Sequence, residues 1–315
     1  MTSSKKLKLE CNEIPLDLSI KKNCNVICEG DENATIDSNN LVFEEHKDYA
    51  TDDNLDDSGV FVIPAIPPLP INLAEKLLVL EQALNDKLKN IEFYHPIAYV
   101  YRPLEYAFEV HSMYVHKYCH SAKKILFLGM NPGPWGMSQT GIPFGEVNMV
   151  RDWLKLSGDI GKPFKEQPDR KVTGFACSRS EISGFRFWSL FRDLCGNPEN
   201  FFQYAFLHNY CPIALMDAGG RNITPAELKG PEQISLYGYC DDALVAAIKL
   251  LKVQTIVGIG RFAEKRAQTV VKSAGLSTQI MYIPHPSPRS VGNINWNEKA
   301  TKRLKELNLL QFFTQ

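Results

Sequence analysis

Apolar residues recur along the chain in two alternating rhythms. Leu73, Leu77, Leu80, Leu84 and Leu88 repeat at helical spacing, and Asn72 with Glu75 three residues on supplies a capping box for that helix. A second amphipathic helix is expected over 104–119. Beyond it, short unbroken apolar runs alternate with helical patterns. The runs are ILFL at 125–128, YAFLHN at 204–209, VQTIVGIG at 253–260 and QIMYI at 279–283. Between them lie VNMVRDWLKL, FRFWSLFRDLC, ALVAAIKLLK and FAEKRAQTVVKSAG, together with a helix start at Thr224, where Pro225 and Glu227 take the first and third helical positions. Strands alternating with helices predict an α/β domain, with a central four-stranded parallel sheet in a three-layer α/β/α arrangement. No internal repeat is evident.

Composition divides the chain. Residues 1–70 hold six Lys and no Arg against fourteen Asp and Glu, a net of −8, whereas residues 71–315 carry a net of +7. The head, 1–58, is too polar to bury a core and is expected to be disordered, and Pro64, Pro67, Pro68 and Pro70 make an extended linker. The expected organisation is therefore an acidic tail and linker over 1–70 and one folded domain over 71–315. No stretch approaches 18 uninterrupted apolar residues and MTSSKKLKLE lacks a signal-peptide core, so neither membrane insertion nor secretion is expected. Eight cysteines without a CxxC pair read as reduced, mostly buried thiols, and no metal or cofactor is expected.

The position of the unusual loops points to function. In an open parallel sheet, ligands bind outside the carboxyl ends of the strands. GMNPGP follows the first run, HNYCP the second, GIGR the third and HPSPRS the fourth, so four loops converge on one crevice. In the first loop, glycines allow close backbone approach and prolines stiffen the turn around Asn131. Phe144, between Pro143 and Gly145, is either core filler or a stacking platform for a flat ring. Asn209 is either a satisfied structural amide or a donor–acceptor pair that reads the edge of a base. His285, held between prolines, is better placed for a ligand than most histidines, and Ser287 and Arg289 suit a phosphate backbone. GIGRFAEKR is an incomplete dinucleotide fingerprint and carries little weight.

Taken in order, GMNPGPWGM, GIPFGEV, HNYCP, GRNITPAEL and HPSPR resemble the uracil-DNA glycosylase superfamily, and within it the single-strand-selective monofunctional branch, from about Phe93 to Leu309. Asn131 separates the chain from the branch whose first loop resembles GQDPYH, and no cysteine cluster suits an iron–sulfur branch. Two departures stand out. Trp135 replaces the usual Phe, and SVGNINW follows HPSPR in place of an Asn-Pro-containing run. The resemblance implies a monofunctional DNA repair enzyme acting on uracil, and on 5-hydroxymethyluracil and related oxidised pyrimidines, in single- and double-stranded DNA. It implies that Asn131 holds the attacking water, His285 stabilises the leaving base, Phe144 stacks on it and Asn209 reads its edge. Met130 would add a backbone contact, and the stretch from Gly133 to Met137 would face C5. Arg289 would fill the vacated stack, with Ser287 and the ridge holding Gly219, Gly220, Arg221, Asn222 and Thr224 pressed against DNA.

Other readings compete. The same fold could carry a catalytically dead DNA- or nucleotide-binding module, which measured base release would exclude. In the head, Pro15, Leu16, Asp17, Leu18 and Ser19 resemble the docking peptide of C-terminal-binding-protein corepressors. Lys5, Lys6 and Lys8 are either a nuclear-import signal or a solvated charge run. The expectation is a monomeric nuclear protein whose partner is DNA.

Overall fold

The computed structural model describes residues 72–289 and 293–314. The acidic head, with the segment at 15–19 that resembles a docking peptide and the lysines at 5, 6 and 8, lies outside the described residues. In chain order the elements are α1 (Leu73–Lys89), β1 (Tyr99–Tyr101), α2 (Pro103–Tyr106), α3 (Phe108–Tyr118), β2 (Ile125–Gly129), α4 (Met137–Thr140), α5 (Ile182–Cys195) and α6 (Pro198–Tyr204). They continue with β3 (Ala205–Asn209), β4 (Ala214–Met216), β5 (Asn222–Ile223), α7 (Gly230–Leu251), β6 (Thr255–Ile259), α8 (Arg261–Ser273), β7 (Gln279–Ile283) and α9 (Trp296–Glu306).

The four expected strands form one parallel sheet in the order β3-β2-β6-β7. Ile125 pairs with Ala205 on one side and Thr255 on the other, so β2 is central and every one of its residues is buried. A strand covered on both faces has no polar alternation, which is why ILFL is an unbroken apolar run. Helices cover the sheet in two packed groups: α1 lies against α3 and α7, and α5 lies against α6 and α9. Phe127 of β2 anchors an aromatic core with Phe187, Phe191 and Phe201, its ring centroid 5.1 Å from that of Phe191. Among the described residues no helix is long and apolar enough to cross a membrane. Cys119, Cys195, Cys211 and Cys240 are buried free thiols, and Cys177 is partly exposed.

The Asn72 capping box forms in full: the Asn72 side chain accepts from the Glu75 amide at 2.9 Å and Glu75 accepts from the Asn72 amide at 3.0 Å. Three other expectations need correction. The helix over 104–119 is two helices, because Ala107 (φ −119°, ψ 24°) interrupts it where the Gly141 loop packs directly on its carbonyl. VNMVRDWLKL winds only a π turn over Met149–Trp153 before Lys155, at φ 53°, turns the chain away. The helix start at Thr224 is half right. Glu227 accepts from the Thr224 amide at 2.8 Å and hydroxyl at 2.9 Å, yet the helix begins only at Gly230. A continuous helix would put Pro231 in its interior, where the ring clashes with the carbonyl four residues earlier, so the cap closes a turn instead. A small antiparallel sheet, β1-β4-β5, was not foreseen; its two- and three-residue strands are too short to leave a period. It holds the 217–221 turn at the edge of the site.

Candidate functional site

The carboxyl ends of the parallel strands open onto a cleft of about 490 Å³. Met130, Asn131 and Gly133 line it from the loop after β2, Gly219, Gly220, Arg221, Asn222 and Thr224 from the ridge around β5, and His285, Ser287 and Arg289 from the loop after β7. Phe144, Trp135 and Glu181 also line the wall, as do Pro134, Arg170 and Ser183.

Phe144 adopts φ 52°, unusual for a residue with a side chain, and its ring centroid lies 5.9 Å from the His285 ring. It also packs 5.5 Å from Phe187, so the core fixes one side of the ring while the cleft meets the other. Asn209, at the end of β3, is only 3 % exposed and lies close to this ring across Gly129. Gly129 makes room for it: a Cβ there would strike the Asn209 Oδ1, and would meet the Phe144 Cε2 at 2.6 Å. The Asn209 Nδ2 donates to the Met137 Sδ at 3.3 Å, and its Oδ1 is buried without a partner. Met137 therefore sits behind Asn209 rather than on the cleft surface. Sulfur is a weak acceptor, so the amide is nearly unsatisfied, an uncommon state for a buried polar group.

Asn131 is oriented by the ridge. Its Nδ2 donates to the Asn222 Oδ1 at 3.2 Å and to the Pro132 carbonyl at 3.3 Å. Both bonds use the nitrogen, leaving Oδ1 as the amide's acceptor for a ligand. Asn222 thus holds Asn131, a part that GRNITPAEL gave no means of foreseeing because the two residues are 91 positions apart.

The last loop is pinned from several sides. The Asn293 Nδ2 donates to the His285 carbonyl at 2.8 Å and the Ser287 carbonyl at 2.7 Å. Arg186 donates to the Pro286 carbonyl at 3.0 Å, and the buried Trp296 indole donates to the Pro284 carbonyl at 2.8 Å. The Ser287 amide donates to the His285 Nδ1 at 3.1 Å, which makes Nδ1 an acceptor and leaves the ring proton on Nε2. Burial pushes the His285 imidazole down to about 4. At neutral pH it is an uncharged donor.

At the rim, Arg289 is exposed and Ser287 accepts from its amide at 3.2 Å. Arg221 pairs with both Asp217 and Glu227, so a phosphate there would compete with two carboxylates. Trp135 is flanked by Arg170 and Arg179, whose guanidinium carbons lie 5.4 and 5.2 Å from its ring centroid. Glu181, which no motif marked, lies against the Gly133–Gly136 loop. Burial, with Glu146 adding like charge, pushes its carboxyl up to about 7.

The strand ends of one parallel α/β sheet thus gather an orphaned amide, an aromatic ring, a neutral histidine and an anchored asparagine. The chain belongs to the uracil DNA glycosylase superfamily, whose family model matches residues 116–308. Within it the chain belongs with the single-strand selective monofunctional uracil DNA glycosylases. It is 48% identical to the protein of that name from Bos taurus over 83% of this chain and 96% of that one, and 47% identical to the one from Mus musculus over 78% and 90%. Among solved structures, the wild-type SMUG2 of Pedobacter heparinus superposes with a TM-score of 0.55 at 18% identity, covering 76% of this chain and 99% of that one. That likeness extends to the fold alone.

Proposed function

We propose that this protein hydrolyses the N-glycosidic bond of uracil, and of 5-hydroxymethyluracil, in single- and double-stranded DNA and leaves an abasic site. The observation that carries the reading is the Asn209 amide, buried beside the Phe144 ring with its Oδ1 unpartnered. A flipped uracil stacked on Phe144 supplies what it lacks: N3–H donates to Oδ1, and Nδ2 exchanges the weak Met137 sulfur for O4. Cytosine offers an acceptor and a donor in the opposite places, so two buried groups would face their own kind, a mismatch that such sites reject strongly.

Bringing the base into the cleft requires unstacking it, at a cost of roughly a few kcal/mol. Exposed Arg289 fills the gap left in the stack, while Ser287 and the ridge from Gly219 to Thr224 contact the backbone. Cleavage builds negative charge on the departing base. The Nε2–H of His285 donates to O2 as that charge develops, a neutral donor fixed in advance by the Ser287 amide and the pinned loop. Asn131 presents its Oδ1 to the attacking water. An amide does not take up a proton at neutral pH, so Asn131 positions water and the weight of catalysis falls on stabilising the leaving group. None of the described cleft-lining residues is a lysine, which supports direct hydrolysis over a Schiff-base route.

The test is base release from a uracil-containing oligonucleotide, followed by alkaline cleavage of abasic sites. Wild-type protein gives incision in both strand contexts, and His285→Leu lowers kcat by about 10²–10³-fold, the usual cost of removing a preorganised donor. Absence of incision by the wild type, or undiminished incision by Asn131→Ala with His285→Leu, refutes the proposal.

A further inference from the structure

Glu181 immediately precedes α5, where a polar side chain commonly accepts from the first-turn amides. It makes no such cap. Instead its carboxyl turns into the hollow left by two glycines: a Cβ on Gly133 would lie 2.6 Å from the Oε1, and one on Gly136 would collide with the Oε2. Oε2 is buried without a hydrogen-bond partner, and the residue lines the cleft. A carboxyl that forgoes helix amides for an unsatisfied hollow facing a ligand site is costly unless the ligand satisfies it.

The ring geometry says which part of the ligand that is. This inference rests on the function proposed above. With His285 at O2 and Asn209 at N3 and O4, the next atom around the pyrimidine, moving away from His285, is C5. Asn209 is backed by Met137, and the loop leading into Met137 runs through Gly133 and Gly136, against which Glu181 lies. We propose that Glu181 is a specificity-determining residue: its carboxyl faces C5 of the flipped pyrimidine, hydrogen-bonds a polar substituent there, and disfavours a methyl. A hydroxymethyl group donates to the ionised carboxylate, and can donate to or accept from the protonated carboxyl. A methyl buries the same oxygens without a partner.

The experiment compares kcat/KM for uracil, 5-hydroxymethyluracil and thymine in one single-stranded sequence, using full-length wild type, Glu181→Ala, Glu181→Gln and Glu181→Met. Glu181→Ala is expected to lower kcat/KM for 5-hydroxymethyluracil by about tenfold to a hundredfold, the worth of one hydrogen bond involving a charged or buried group, while uracil changes much less. Glu181→Gln keeps the hydroxymethyl preference because an amide still bonds the substituent. Glu181→Met, which keeps the hollow filled, loses that preference and narrows the gap between thymine and uracil. An unchanged 5-hydroxymethyluracil-to-uracil ratio in both Ala and Met variants overturns the inference, as does an equal fall on all three substrates. Wild type that releases no uracil defeats the proposed function itself, whereas wild type active on uracil with unmoved ratios defeats only the role of Glu181.

Discussion

Behind the site lies a buried charge cluster whose removal has a calculable cost. Glu81 of α1, 3 % exposed, accepts from the His111 Nε2 at 2.7 Å and the His208 Nδ1 at 3.3 Å. The His111 Nδ1 lies 2.9 Å from the Gly141 carbonyl. A carbonyl and a carboxylate can only accept, so both His111 nitrogens carry protons and the ring is an imidazolium. Burial pushes the Glu81 carboxyl up, but the charge of His111 and the bonds from both histidines outweigh it and hold the group at about 2, from an ordinary 4.5. Burial pushes His111 down, but Glu81 and the Gly141 carbonyl outweigh it and raise it.

The perturbation is Glu81→Gln. A shift of that size corresponds to about 3 kcal/mol at 1.36 kcal/mol per unit, and breaking one side of a buried ion pair costs about 3–5 kcal/mol by mutational experience. The two histidine bonds and the carboxylate describe one interaction, so the expected loss at pH 6 is about 3 kcal/mol, a fall in Tm of roughly 6–12 °C for a domain of this size. The sign at each end follows from linkage. Glu81 has a depressed folded value, so its contribution is present above pH 4.5 and is lost as pH falls toward 2. His111 has a raised folded value, so its contribution is present below 6.5 and is lost as pH rises through that raised value. The gap between wild type and variant is therefore widest from about pH 4.5 to 6.5 and closes on both sides. Thermal denaturation across pH 3–9 measures it. A Tm difference under about 1 °C at pH 6, or a gap independent of pH, refutes the imidazolium–carboxylate assignment.

Three further outcomes follow from the site itself. Because burial holds His285 near 4 with its proton on Nε2, base release carries no ionisation of His285 between pH 5 and 8; an NMR titration placing that imidazole near 6.5 contradicts this. Native His285 also costs stability on acidification, since the unfolded ring binds a proton from about 6.5 downward and the folded one only near 4. Asn222→Ala frees the Asn131 amide without touching the reacting bond, so kcat should fall by about tenfold, a loss of roughly one hydrogen bond's worth of orientation, while any lost contact of Asn222 with the DNA backbone shows in KM. A fall in kcat as large as that of Asn131→Ala would mean that Asn222 itself meets the base or the attacking water.

Much of this molecule was legible along the chain because its cues are local. The central strands β2 and β6 read as apolar stretches because burial on both faces leaves no polar side, half-buried β7 at the edge still shows as QIMYI, and each of the four strands ends in a loop marked by Gly or Pro. Asn131, Phe144, Asn209 and His285 could be nominated from those loops alone, since strand ends in a parallel sheet share one edge. What the sequence could not determine depends on contacts between distant positions. That Pro231 would divert the Thr224 cap into a turn, that Asn222 would steer Asn131 across the cleft, and that Glu81, His111 and His208 would meet in the interior are consequences of packing. The same is true of the orphaned oxygens of Asn209 and Glu181. Whether a buried polar atom has a partner is a property of three-dimensional neighbours, and only the folded chain decides it.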